Sequence, residues 1–337
     1  MTDLVRGLLA GNQRALARLL THIENESEDA QAALAALYPH TGQAHLVGIT
    51  GAPGTGKSSL VNSLAKTYRA SGRTVGIVAV DPTSPFSGGA VLGDRIRMRD
   101  LAGDPGVFIR SMATRGSLGG LARATGDAVR ALDAAGYDIV IIETVGAGQG
   151  EVDIAREAQT TVVVEAPGLG DDIQAIKAGI LEIADILVVN KADRPDARNT
   201  VRALKAMLEL SGHRPRQHWH HGRLLAEELP PATGPQPDGW EIPIIETVAL
   251  DGTGVPQLMQ ALDAHREALQ RSGELQRRQR QRLEAELRNR LQEALLARLL
   301  QRIAPDTLRA VIDQLVARDL DPNTAVQRLL NGTYDTG

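Results

Sequence analysis

Seven short apolar runs alternate with longer amphipathic stretches through the middle of the chain. The runs are Leu46–Thr50, Thr74–Val80, Val107–Arg110, Asp138–Glu143, Thr161–Glu165, Asp185–Asn190 and Ile242–Val248. Stretches between them, such as Ser58–Ala70, Leu118–Ala135 and Ala197–Leu210, have the pattern of crossover helices. Buried strands separated by helices predict an α/β fold whose mostly parallel sheet is covered by helices on both faces. Ligands of such sheets bind at the carboxyl ends of the strands.

Both ends of the chain are predicted to be helical. Met1–Tyr38 carries leucine and alanine at helical spacing, and Glu274–Arg302 is a long, arginine-rich stretch. The latter has a leucine every four residues, at Leu283, Leu287, Leu291, Leu295 and Leu299. This leucine stripe needs a partner surface, either in its own domain or in another subunit. We therefore expect a helical extension over residues 1–40, an α/β domain over 41–272 and a helical arm over 273–337.

The segment His213–Trp240 interrupts this rhythm with five prolines and both tryptophans. We interpret it as an irregular excursion over the surface or as a loop that contacts a partner. Its histidines, His213, His218, His220 and His221, have no carboxylate at useful spacing, which argues against a metal site.

Composition excludes several classes of function. A net charge of -4 and an aromatic content of 2% argue against nucleic acid as a ligand. No apolar run is long enough to cross a bilayer, and the N-terminus lacks the pattern of a secretory signal, so we expect a cytoplasmic protein without a membrane partner. The absence of cysteine excludes disulfides and thiolate chemistry, so any metal must be bound by oxygen or imidazole.

The strongest motif lies between the first apolar run and the following amphipathic stretch. It fits the P-loop pattern G-x-x-x-x-G-K-[ST] and consists of Gly51, Ala52, Pro53, Gly54, Thr55, Gly56, Lys57 and Ser58, with Ser59 behind them. Glycines let backbone N–H groups curl around a phosphate, and the following helix adds its positive end. Lys57 is expected to contact the β- and γ-phosphates, and the Ser58 hydroxyl to bind Mg²⁺.

A second motif, Asn190-Lys191-Ala192-Asp193, indicates which base is bound. Asp193 can accept two hydrogen bonds from guanine, whereas adenine would leave this carboxylate unpaired. Asn190 is expected to brace the neighbouring loops, and the stem of Lys191 to lie along the base. The loop after the last strand should touch the base from its other side, near Ala249 and Leu250. We therefore expect GTP and GDP to be the ligands.

Acidic residues near the phosphates predict the magnesium site. Asp81 directly follows one apolar run and Glu143 ends another, so both should face the cleft and serve hydrolysis and Mg²⁺ binding. Asp94 follows a loop rich in proline and glycine, and it is expected to be a metal contact, a helix N-cap or both. Gly146 can offer its N–H to the γ-phosphate, but Ala147 stands where many GTPases have a glutamine that orients water. Unassisted turnover should therefore be slow.

These motifs together resemble the MeaB/ArgK family. The resemblance rests on G-A-P-G-T-G-K-S-S, V-D-P-T-S-P-F-S-G-G-A-V-L-G-D-R-I-R-M, E-T-V-G-A-G-Q-G-E, G-D-D-I-Q-A-I-K-A-G-I-L-E and N-K-A-D, and it covers about Gly7 to Leu269. It implies a SIMIBI-class P-loop GTPase domain and a homodimer formed through the C-terminal arm. It also implies a metallochaperone that protects an adenosylcobalamin-dependent acyl-CoA mutase and gates its cofactor loading. Gly168–Lys177 would be a third switch, with Lys177 as its catalytic lysine, and the mutase would stimulate hydrolysis.

Departures from the family pattern leave the partner open. Ala147, Gly150 and Ala178 stand where the family commonly has valine, serine and lysine. Methylmalonyl-CoA mutase is the leading candidate, ahead of isobutyryl-CoA and hydroxyisobutyryl-CoA mutases. A nickel-type metal-insertion GTPase would need a histidine or cysteine relay near the P-loop. A kinase of transport proteins is disfavoured, and a nucleotide-binding module without hydrolysis is a further alternative.

Overall fold

A parallel sheet of seven strands organises the chain in the computed structural model, which describes residues 2–25, 27–81, 98–101, 103–113, 120–144, 157–168, 183–211 and 239–332. The strands are β1 His45–Thr50, β2 Val75–Asp81, β3 Val107–Ala113, β4 Ile139–Thr144, β5 Thr160–Glu165, β6 Ile186–Asn190 and β7 Ile244–Thr247. Their order is β3-β2-β4-β1-β5-β6-β7, and every neighbouring pair is parallel. The predicted α/β fold is confirmed.

Two strand ends differ from the predicted runs by more than one residue. β3 continues to Ala113, because it pairs with β2 along its full length up to the partners Asp81 and Ala113. β7 begins at Ile244 because Pro243 has no N–H to donate, although its carbonyl accepts a bond from the Leu187 N–H at 2.9 Å.

The described α-helices lie at or near the positions that the periodicity predicts. They are α1 Thr2–Leu9, α2 Gln13–Glu24, α3 Glu28–Leu37, α4 Lys57–Ala70, α5 Gly120–Ala134, α6 Ala197–Ser211, α7 Val255–Arg271, α8 Glu274–Arg302, α9 Pro305–Ala317 and α10 Pro322–Asn331. Asn12 and Ser27 cap α2 and α3 by accepting backbone N–H bonds. None of the described helices is long and apolar enough to span a bilayer.

Two apolar layers cover opposite faces of the sheet. On one face, α4 and α7 pack against alternate side chains of the central strands, such as Ile49 and Ile141. On the other face, α1, α2, α3 and α5 pack against the intervening side chains, such as Leu46 and Ile142. α6 covers β5 and β6 on this second face. The N-terminal helices therefore share a core with the sheet.

The chain divides into two compact units, Met1–Arg278 and Gln279–Gly337. The first unit holds the sheet, its covering helices and the first turn of α8. Within the second unit, α9 and α10 pack on each other through Val311, Leu320 and Ala325. Leu287, Leu291 and Leu295 of the leucine stripe are more than half exposed in the single chain, at 69%, 55% and 56%.

Candidate nucleotide-binding site

The strand order brings the motif residues to one edge of the sheet. β2, β4, β1, β5 and β6 are consecutive neighbours, and their carboxyl ends point the same way. Asp81 ends β2, Glu143 lies one residue before the end of β4, the P-loop follows β1, and Asn190 ends β6. Parallel pairing therefore assembles phosphate, metal and base motifs that lie far apart in sequence.

Two P-loop glycines are required by close approaches. Gly51 has φ of 141°, and a Cβ there would lie 2.1 Å from the Val164 carbonyl oxygen of β5. Gly56 has φ of 90°, and a Cβ there would lie 2.5 Å from the Asn190 amide nitrogen. Only glycine combines these backbone angles with such contacts. The loop is thereby held against both β5 and the residue that begins the guanine motif.

The N-terminus of α4 opens into the P-loop without a side-chain cap. Gly56 is its N-cap residue in the left-handed conformation, and none of the described side chains caps the first turn. Such a terminus presents backbone N–H groups and the positive end of the helix dipole, an arrangement that suits a phosphate.

Lys57 is buried within the loop. Its ammonium group donates to the carbonyl oxygens of Gly51 at 2.7 Å and Ala52 at 3.1 Å. The same carbonyl of Ala52 accepts a bond from the Thr55 hydroxyl at 2.9 Å. The cation is therefore held beside the loop that would surround the β-phosphate.

Ser58 and Glu143 form the centre of the predicted metal site. The Ser58 hydroxyl donates to a carboxylate oxygen of Glu143 at 2.5 Å, and both side chains are buried. Because the single hydroxyl hydrogen goes to Glu143, the lone pairs of the Ser58 oxygen are left for another partner. Hydroxyl and carboxylate oxygens are ligands that Mg²⁺ accepts. The described residues contain no separate cluster of three metal-binding side chains.

Asn190 links three loops through its buried amide. Its nitrogen donates to the Thr55 carbonyl at 2.8 Å, and its oxygen accepts from the Ala249 N–H at 3.1 Å and from the Thr247 hydroxyl at 3.2 Å. The P-loop and the loop after β7 are thus fixed to the end of β6. The role of Thr247 could not be predicted from the sequence, where it is only a threonine at a strand end.

Lys191 and Asp193 extend from this junction. Lys191 has φ of 58°, uncommon for a residue with a side chain, and its ammonium group donates to the Gly54 carbonyl at 2.7 Å. The Lys191 stem therefore crosses from β6 to the P-loop. Asp193 is exposed two residues later, so its carboxylate is accessible to a ligand.

The loop after β7 approaches the same edge. Ala249 is buried, whereas Leu250 is 92% exposed. The turn depends on Gly254, where φ is 77° and a Cβ would lie 2.0 Å from the Glu246 carbonyl oxygen.

Some predicted residues cannot be placed. Asp94, Gly146, Lys177 and most of His213–Trp240 lie outside the described residues, and for Asp81 only the backbone is described. The described geometry therefore covers the P-loop, Glu143 and the Asn190–Asp193 motif.

The chain matches a protein-family model over most of its length. The model is described as methylmalonyl Co-A mutase-associated GTPase MeaB, and it matches residues 16–304. A putative GTPase of Pyrococcus abyssi is 46% identical over 328 residues, which are 97% of this chain and 95% of the relative. The mitochondrial methylmalonic aciduria type A homolog of Caenorhabditis elegans is 32% identical over 316 residues, 87% of this chain and 73% of that protein.

A solved structure has the same fold over nearly the whole chain. The crystal structure described as LAO/AO transport system kinase superposes with a TM-score of 0.70 at 28% identity. The match covers 98% of this chain and 96% of the other.

Proposed function

Because the chain belongs to the MeaB family of GTPases, we propose that this GTPase is a chaperone of an adenosylcobalamin-dependent acyl-CoA mutase. It would protect the mutase and gate the loading of its cobalamin cofactor. Methylmalonyl-CoA mutase is the partner best supported, because the family description names it and a relative is named for methylmalonic aciduria.

The reaction is GTP hydrolysis, in which water attacks the γ-phosphorus and GDP leaves. In our proposal, Lys57 and the N-terminus of α4 hold the phosphates and offset the negative charge that develops in the transition state. Ser58, Glu143 and Asp81 would hold Mg²⁺ directly or through water. When bound, that ion would neutralise charge on the β- and γ-phosphates.

Guanine would be selected at the other end of the site. Asn190 fixes the surrounding loops, the Lys191 stem offers an apolar surface for the ring, and the exposed Asp193 carboxylate would accept bonds from guanine N–H groups. Ala249 and Leu250, in the loop after β7, would contact the base from its other side.

The C-terminal arm is proposed to form a homodimer. The observation that supports this is the leucine stripe of α8, since Leu287, Leu291 and Leu295 are exposed in the single chain. A monomer normally buries such a repeated apolar stripe.

The chaperone proposal can be tested by following a mutase through many turnovers. If the chain protects the mutase, the fraction of mutase activity retained after a fixed number of turnovers measures that protection. We expect the chain with GTP to preserve more activity than mutase alone, and Lys57→Ala, which should not bind nucleotide tightly, to give less protection. Equal decay with and without the chain would contradict the proposal. Protection of an isobutyryl-CoA mutase instead would identify that enzyme as the partner.

A further inference from the structure

Thr50, which precedes the P-loop, and Ser58, the last P-loop residue, both hydrogen-bond to the end of β4. Ser58 donates to Glu143 at 2.5 Å. The hydroxyl of Thr50 lies 3.2 Å from the hydroxyl of Thr144. All four side chains are buried, so these bonds are shielded from water. The last two residues of β4 are therefore each tied to one end of the loop.

These two bonds lie on opposite faces of the sheet. Consecutive side chains of a strand alternate between faces. Glu143 faces α4, which carries Ser58, whereas Thr144 has the same orientation as Ile142, which packs on the side of α5. The pair Ile49 and Glu143 is in direct register between β1 and β4, so Thr50 and Thr144 follow as the next pair. The end of β4 is held from both sides.

The threonine pair fixes how β4 ends relative to β1. Among the described residues, this is the only hydrogen bond that either hydroxyl makes. If one hydroxyl is lost, the other becomes an unsatisfied buried polar group, and the strand ends can relieve this cost by shifting. Such a shift would move Glu143, the neighbour of Thr144, relative to Ser58.

We propose that Thr144, acting through Thr50, is a positioning residue that holds Glu143 and Ser58 in the geometry needed to bind Mg²⁺ during GTP hydrolysis. This inference rests on the magnesium site proposed above. It assigns a role in the reaction to two hydroxyls that bond to each other on the sheet face opposite Glu143.

The test compares the magnesium dependence of GTP hydrolysis in full-length Thr144→Val, Thr50→Val and Thr144→Ser. Loss of one hydrogen bond corresponds to about a fivefold effect, so the Mg²⁺ concentration for half-maximal rate should rise about fivefold in both valine variants. We also expect kcat to fall in both valine variants, while the KM for GTP and the affinity for GDP without magnesium stay near wild type. Thr144→Ser, which keeps the hydroxyl, should behave like wild type.

Thr161→Val provides a matched control. Thr161 is also buried in the sheet, but its hydroxyl has no hydrogen-bond partner among the described residues, and it lies near the start of β5, away from the loop. The same isosteric change there should leave the magnesium dependence unchanged. The double variant Thr50→Val/Thr144→Val should need no more Mg²⁺ for half-maximal rate than the more impaired single variant, because each single variant already removes the same bond.

Distinct outcomes would overturn distinct claims. A folded Thr144→Val with wild-type magnesium dependence, or an equal loss in Thr161→Val, would show that the threonine pair does not position the site. A Thr144→Val variant whose only change is a lower melting temperature would lead to the same conclusion. Hydrolysis by wild type that does not depend on Mg²⁺ would instead contradict the proposed metal site itself.

Discussion

Asp193 is the residue on which guanine selection depends. Its carboxylate is exposed at the end of a motif whose other members are fixed, with Asn190 buried and Lys191 bonded to Gly54. A carboxylate accepts hydrogen bonds and donates none at neutral pH, which suits the N–H groups of guanine. A base that lacks these donors would leave the charge unpaired in the complex.

We therefore expect Asp193→Asn to weaken GTP binding by at least tenfold and to favour xanthine nucleotides, whose C2 carbonyl can accept a bond from the amide. Calorimetric titration with GTP and XTP measures both affinities. Asp196→Asn is a matched control, because Asp196 is exposed in the same loop and should not contact the base. Unchanged GTP affinity in Asp193→Asn would refute the assignment.

Residues in local motifs could be predicted from the sequence, whereas those that act through distant partners could not. Lys57, Ser58 and Asn190 belong to short patterns with fixed spacing. In the sequence, nothing distinguishes three strand-end threonines, Thr50, Thr144 and Thr247. Their hydrogen-bond partners are seen only once the sheet is formed.

At the scale of elements, the start of α8 is attached to the sheet by a buried ion pair. The Arg278 guanidinium lies 3.2 Å from Asp185, which is fully buried before β6, and it also donates to the Gln159 carbonyl at 3.1 Å. Asp185 accepts the Thr161 N–H at 2.8 Å, and its carbonyl accepts the indole N–H of Trp240 at 3.0 Å. The first turn of α8 thus belongs to the nucleotide-binding unit.

Two truncations should separate this attachment from the dimer contact. A chain that ends after Ser272 lacks Arg278 and leaves Asp185 without its guanidinium, so we expect a loss of about 3 kcal/mol in the free energy of unfolding. A chain that ends after Arg282 keeps the pair and should bind GDP with wild-type stability. Both should sediment as monomers, whereas the full chain should be dimeric.

Equal stability of the two truncated chains, measured by urea unfolding, would show that the ion pair does not stabilise the nucleotide unit. A full-length monomer at micromolar concentration would count against the role of the leucine stripe.

Elements were predictable where their side chains are buried on both faces. β1 and β4 are buried throughout, so their apolar runs mark them clearly. The beginning of β7 depends on Pro243, and the boundary near Arg278 depends on the pairing of Arg278 with Asp185, 93 residues earlier. The hydrophobic pattern of a short stretch of sequence does not show which distant residues will pair. The predicted boundary at 272 remains a prediction, and Arg278 lies beyond it in sequence.

For the whole molecule, two buried histidines make stability depend on pH. Burial lowers the pKa of His265 to about 4, with Asp185 opposing the shift and Arg278 adding to it. Burial, together with Arg266 and His265, lowers the pKa of His45 well below its ordinary value. The Thr160 hydroxyl joins the rings, at 2.8 Å from His45 and 2.9 Å from His265. Both histidines are neutral in the folded chain at neutral pH.

The unfolded chain therefore binds more protons than the folded one between about pH 6.5 and pH 4, and stability falls as pH falls through that window. His265 alone should contribute a loss of about 2 kcal/mol between pH 7 and pH 5. Urea unfolding at the two pH values measures this. His265→Gln should lose less stability than wild type over the same interval, and an equal loss would contradict the assignment.

In our proposal, GTP hydrolysis by this chain responds to a mutase. Ala147 replaces the water-orienting glutamine of many GTPases, so intrinsic hydrolysis should be slow until a partner rearranges the site. The direct measurement is the single-turnover rate of GTP hydrolysis with and without methylmalonyl-CoA mutase, with Lys57→Ala as the inactive control. We expect the mutase to raise the rate at least tenfold, which corresponds to about 1.4 kcal/mol of barrier. The same rate with and without mutases of this class would contradict the claim.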